Sequence, residues 1–196
     1  IVKFDSVRPD QNNRNYARFS YGTYSTINAE GAVGGEVSDG VSVRVSGLWQ
    51  HRNDWIDNLD EPGSNDLEGY DDIAVRGQIQ WEPTDDLKIR LIGQYRDLDG
   101  DARIFRANAF ERGSNHLIGL DGGNFKRDEV RTNGLNFQKL TTWNLGGTLE
   151  YDLGPATLYS VTSYWHGNVR SRGDIDGGCT ETCASPAGPG FIPFFA

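Results

Sequence analysis

In the stretch Val41-Ser42-Val43-Arg44-Val45-Ser46-Gly47-Leu48-Trp49-Gln50, one side of an extended chain carries Val41, Val43, Val45, Gly47 and Trp49, and the other carries Ser42, Arg44, Ser46, Leu48 and Gln50. Successive side chains of a strand point to opposite faces, whereas helical spacing would scatter these valines around an axis. The alternation returns from Ile73 to Glu82, where Ile73, Val75, Gly77, Ile79 and Trp81 oppose Arg76, Gln78, Gln80 and Glu82. From Leu87 to Arg96, Leu87, Ile89, Leu91, Gly93 and Tyr95 oppose Lys88, Arg90, Ile92, Gln94 and Arg96. Trp143, Leu145, Gly147, Leu149 and Tyr151 oppose Asn144, Thr148 and Glu150. Tyr16 to Tyr24, Ile27 to Val33 and Thr157 to Trp165 are weaker strand candidates, the last without a clear inward face. The reading is about seven strands of roughly ten residues, twice the mean strand of a soluble sheet and the length a tilted membrane-crossing strand needs.

The connections alternate in length. Ser38-Asp39-Gly40, Pro83-Thr84-Asp85-Asp86 and Asp152-Leu153-Gly154-Pro155 are tight turns built from residues that pre-set or tolerate turn dihedrals. The others are long: Arg52 to Asp72, Asp97 to Thr142, and His166 to the end. Tight turns at one end and long loops at the other are the layout of an outer-membrane barrel. The expected fold class is therefore all-β, an antiparallel up-and-down transmembrane barrel segment that is incomplete. Its apolar rows, Val43, Val45, Trp49, Ile79, Trp81, Ile89, Leu91, Trp143, Leu145 and Leu149, would face lipid. Arg44, Arg76, Gln78, Lys88, Arg90 and Glu150 would face the lumen. Trp49, Trp81, Tyr95, Trp143, Tyr151 and Trp165, near strand ends, would sit at the membrane-water interfaces. A soluble extracellular β-sandwich binding module also alternates, and requires instead that Val43, Val45, Ile79, Ile89 and Leu91 pack beneath a second sheet.

Composition narrows the classes. The chain has 196 residues with 19 basic and 28 acidic side chains, a net charge of −9, the wrong sign for a nucleic-acid binder. No apolar run approaches the roughly 18 residues of a spanning helix, which excludes a helical membrane protein and says nothing against a barrel. Met is absent and Ile1-Val2-Lys3-Phe4 reads as a strand in progress, so a piece of a longer chain is expected. Cys179 and Cys183, in Cys-Thr-Glu-Thr-Cys, lack the further ligands of a zinc site and are expected to form a small loop disulfide.

These residues resemble the TonB-dependent receptors of Gram-negative outer membranes, in which a globular plug precedes a large barrel. Ser6-Val7-Arg8-Pro9 is similar to the plug's last strand and its basic-Pro exit. Tyr21-Gly22-Thr23-Tyr24 followed by Asn28-Ala29-Glu30-Gly31-Ala32-Val33-Gly34-Gly35 resembles the first barrel hairpin, and Ser38 to Gly47 the turn and third strand. Trp81-Glu82-Pro83-Thr84-Asp85-Asp86-Leu87 resembles a periplasmic turn, and Thr157 to Tyr164 a later strand. The resemblance implies residues 1–10 as the end of a plug and 11–196 as a partial barrel, with the TonB box, most of the plug and most of the strands lying outside the chain. It further implies an outer-membrane location and uptake of a scarce nutrient: a ferric siderophore first, or cobalamin or a glycan. The partners implied are membrane lipid, that nutrient, and the TonB complex acting through the missing plug.

Catalytic constellations are not found. His51, His116 and His166 stand apart, no nucleophile elbow or phosphate-binding glycine loop occurs, and Asp71-Asp72 and Asp85-Asp86 read as solvated turn residues. The chain is read as no enzyme, without cofactor or resident metal. Asp97-Leu98-Asp99-Gly100-Asp101 and Asp174-Ile175-Asp176-Gly177 present alternate carboxylates but lack the remaining ligands of a calcium loop. The second long loop mixes cations with aromatic faces: Arg96, Asp99, Arg103, Phe105 and Arg106, together with Arg112 and Phe110. The set offers bidentate hydrogen bonds and stacking to an anionic ligand, or else a loop held together by its own Arg-Asp pairs.

Overall fold

The computed structural model describes residues 6–9, 15–60, 65–106, 109–111, 113–174 and 177. Seven strands form one antiparallel sheet: β1 (Tyr16–Gly22), β2 (Thr26–Ser38), β3 (Val41–Arg52), β5 (Tyr70–Thr84), β6 (Leu87–Gly100), β8 (Phe137–Asp152) and β9 (Thr157–Arg172). Their spatial order β1-β2-β3-β5-β6-β8-β9 is chain order, an up-and-down meander, and the sheet does not close on itself. Two short strands, β4 (Asp57–Asn58) and β7 (Glu129–Val130), pair in parallel apart from it. The chain divides into two compact units. The first comprises residues 1–51, 71–98 and 140–169, and the second 52–70, 99–139 and 170–196.

In the first unit the register puts the alternating rows of neighbouring strands on shared faces. Tyr21 pairs with Ile27 and Phe19 with Ala29, and Ala29, Gly31, Val33 and Gly35 pair with Trp49, Gly47, Val45 and Val43. The turns supply the dihedrals that the meander needs. Gly40 closes β2 to β3 at φ +68°, and Gly154 closes β8 to β9 at φ +85° while its N–H donates to Asp152 Oδ1 at 2.8 Å. The β1–β2 turn does the same without glycine, with Tyr24 and Ser25 both left-handed and Thr26 N–H returning to the Thr23 carbonyl at 3.1 Å.

Most strands are longer than the alternation indicates. β6 continues through Asp97 and Asp99, β8 starts at Phe137, and β9 extends past His166 to Arg172, segments expected to be loop. Polar side chains clip several of these extensions across the sheet. His51 Nδ1 lies 2.8 Å from Asp71 Oδ1, and Asp97 accepts from Thr141 Oγ1 at 2.8 Å. In the second unit Lys139 Nζ donates to Asp99 at 2.6 Å.

The second unit has its own small core, Ile56, Leu67 and Val130, with Trp55 and Ile104 packed against it. Asn58 ties its connections by gripping the Thr132 backbone twice, Nδ2 donating to the carbonyl and Oδ1 accepting the N–H, each at 3.1 Å. Asp174 Oδ2 accepts the Asn133 N–H at 3.1 Å.

Candidate functional site

The sheet of the first unit is polar where it is covered and apolar where it is open. On β5, Asp72, Gln78 and Gln80 are buried, at 4 to 5% exposure, while Ile73, Val75, Ile79 and Trp81 between them are 47 to 49% exposed. Among the apolar residues read as facing lipid, Val45, Trp49, Ile79, Trp81, Leu91, Trp143 and Leu145 are exposed, and Val43, Ile89 and Leu149 are half-buried in the same rows. Beneath a second sheet Val45, Ile79 and Leu91 would be sealed, whereas they stand about half open. An apolar expanse of this size is rare on a water-soluble monomer.

Rings frame this face. Trp49, Tyr95 and Trp143 lie toward the ends bearing the long connections, and Trp81 and Tyr151 toward the tight turns. On β9 it is Tyr164 rather than Trp165 that joins Trp143, with ring centroids 5.3 Å apart, because alternation along β9 sets Tyr164 and His166 on that side. From Ile73 to Trp81, and from Trp143 to Tyr151, the strand advances about 27 Å.

The opposite face carries a ladder of paired polar groups, as burial of such groups demands, while Asn144 Oδ1 on β8 is buried without a partner. Arg96 forks onto Asp72, Nε to Oδ1 at 2.9 Å and Nη2 to Oδ2 at 2.7 Å. Arg76 holds Gln94 Oε1 with Nε and Nη2, at 3.1 and 2.9 Å. Gln50 donates to Asn28 at 2.9 Å, and Arg18 to Glu30 at 2.5 Å. A cavity of about 460 Å³ opens here, lined by Glu30, Ser46, Gln50, Asp72, Arg76 and Arg96. Of the residues read as lumen-facing, Arg44 and Gln78 are buried and Arg76 and Arg90 half-buried, while Lys88 and Glu150 are exposed. Arg90, Lys88 and Glu150 share a small cavity with Arg8, Gln80 and Thr148.

The segment before β1 lies on this polar face. Arg76 Nη1 donates to Ser6 Oγ at 2.9 Å, Gln78 Nε2 donates to the Val7 carbonyl at 3.0 Å, and Pro9 is buried. Spacing alone could not reveal this contact, because the partners are 70 and 71 residues apart.

Of the residues read as ligand-binding, Arg96, Asp99, Arg103 and Arg106 are engaged by partners of the protein's own. Arg96 belongs to the Asp72 fork and Asp99 to Lys139, while Arg103 Nη1 donates to Glu68 Oε2 at 2.7 Å. Arg106 lies over the Phe125 ring at 5.4 Å and donates to the Arg127 carbonyl, in a pocket that none of Asp99, Arg103 or Phe105 lines. Phe105 is exposed. Arg112 and the disulfide expected between Cys179 and Cys183 lie outside the described residues, as does Asp176. Asp97 and Asp99 sit on a strand with donors already on their oxygens, and among the described residues no group of three or more His, Cys, Asp or Glu is arranged to hold a metal ion. No helix among the described residues is long and apolar enough to cross a membrane, which says nothing of a barrel. No family model and no curated protein matches the chain.

Proposed function

We propose that this chain is a section of a TonB-dependent outer-membrane transporter: the exit of the plug and the first part of the barrel wall, with its outer loops. The observation that carries the reading is the inversion on β5, with open isoleucine, valine and tryptophan on one face and buried Asp72, Gln78 and Gln80 on the other. In water the open row would forgo on the order of 1.5 to 3 kcal/mol for each large side chain left unburied. Against hydrocarbon that penalty disappears, and the polar face becomes lumen wall.

Further support comes from the resemblance of Ser6 to Pro9 to a plug exit, together with the seat of that segment on Arg76 and Gln78. In this reading the intact protein captures a scarce nutrient, a ferric siderophore first or else cobalamin or a glycan, in its outer loops and plug. The TonB complex then drives passage by acting on the plug, and the wall performs no bond chemistry. Flotation with lipid vesicles tests the wall: the chain should float with them and aggregate when detergent is withdrawn. A monomeric, cooperatively folded chain in plain buffer would overturn it. The transporter assignment is tested by reading the coding sequence upstream of Ile1, where a plug and TonB box should appear.

A further inference from the structure

The corner Leu67-Glu68-Gly69 in the second unit is held by more bonds than a solvent loop needs. Glu68 is buried in the left-handed region at φ +73°. Its N–H donates to Asp101 Oδ2 at 2.9 Å, and its carbonyl accepts from Arg52 Nε and Nη2 at 3.1 and 2.5 Å. The Gly69 N–H donates to Asp54 Oδ1 at 2.7 Å, and the Gly69 carbonyl accepts the Asp101 N–H at 3.2 Å. Packing is tight enough that a Cβ at Gly69 would collide with Asp54 Oδ1. Two carboxyls thus grip successive amides of one corner, which brings the Asp54 and Asp101 side chains to the same place.

We propose that the Asp54-Asp101 carboxyl pair is a proton-operated clasp that fastens the first long connection to the end of β6 in acid and loosens it toward neutral pH. With one proton shared, the pair is a hydrogen bond; with none, it is two like charges side by side in a partly desolvated place. Arg52 and Arg103 turn to Glu68 and Lys139 to Asp99, and the charge that acts on Asp101 is that of Asp54. Burial first, and then the Asp54 charge, push the Asp101 carboxyl from 3.8 up to about 6. A folded value raised above the unfolded one gives stability that is full below about 4 and is lost as pH rises through about 6.

This inference does not rest on the transport reading. Its test is amide hydrogen exchange at Glu68 and Gly69 in the full chain in detergent micelles, from pH 5 to 8, corrected for intrinsic exchange. Asp101 is half-buried and Asp54 exposed, so a fall in protection of about tenfold is expected, less than the full shift allows. Asp54→Asn, whose amide keeps the Gly69 bond and donates permanently to Asp101, should hold protection level across the range. Glu68→Gln weakens the Arg103 pairing but leaves the carboxyl pair, and should lower protection everywhere while keeping the pH dependence. Flat protection in the parent chain, an undiminished fall in Asp54→Asn, or loss of the pH dependence in Glu68→Gln would each overturn the clasp.

Discussion

Arg96 holds Asp72 by a two-pronged fork in which the carboxylate side chain is only 6% exposed and the guanidinium is nearly half exposed. The asymmetry fixes which partner is costly to remove. Arg96→Met leaves a buried charge without its donors and should cost about 2 kcal/mol, while Asp72→Asn keeps one acceptor and should cost about 1 kcal/mol. Urea unfolding in lipid vesicles, followed by tryptophan fluorescence, reads both. Losses below about 0.5 kcal/mol for the pair would place it among idle surface ion pairs.

Lysine placed along the open row should be penalised by depth. Val45→Lys, Ile79→Lys and Leu91→Lys, inside the ring-bounded band, should each cost about 2 to 4 kcal/mol in a bilayer, and Trp81→Lys, at its margin, about 1 kcal/mol or less from the charge. The same unfolding assay ranks them. A uniform small cost would mean that water, not hydrocarbon, meets those positions.

The two turn glycines separate dihedral strain from collision. Both are left-handed, but a Cβ at Gly40 would lie 2.5 Å from the Glu82 carbonyl oxygen, whereas nothing stands within 4 Å of one at Gly154. Gly154→Ala should cost about 1 kcal/mol, and Gly40→Ala clearly more, with the Glu82 N–H bond to the Gly40 carbonyl disturbed as well. Equal costs would show that the β2–β3 turn yields freely.

At the β1–β2 turn Tyr24 and Ser25 sit at φ +58° and +52°, where Asn and Gly are far better suited. Tyr24→Asn combined with Ser25→Gly should stabilise the hairpin by about 1 kcal/mol. A neutral or negative effect would mean that the Tyr24 side chain contributes more than its backbone strain removes.

What could be read from the sequence was the sheet, because Val41 to Gln50, Ile73 to Glu82 and Leu87 to Arg96 alternate with period two and the turn residues between them are chemically explicit. The strand extensions at Asp97 to Gly100 and Phe137 to Thr142 were not legible, since their clips are polar and act across the sheet. The small core of Ile56, Leu67 and Val130 left no periodic trace, because its members are scattered through two loops. The candidate ligand loop was legible as a set of residue types but not as geometry: Arg96, Asp99 and Arg103 turn to partners 24 to 40 residues away. The grip of Asp54 and Asp101 on Glu68 and Gly69 was hidden for the same reason.

The wall itself is tested most directly by nitroxide labels placed singly from Ile73 to Trp81 on β5, in a Cys179→Ser, Cys183→Ser background, with the chain in lipid bilayers. Labels at 73, 75, 77, 79 and 81 should collide with oxygen, which concentrates in hydrocarbon. Those at 74, 76, 78 and 80 should collide with a water-soluble nickel chelate or with neither reagent, giving period two along the strand. Odd-numbered labels that meet the nickel chelate, or that are shielded from both reagents, would contradict the account.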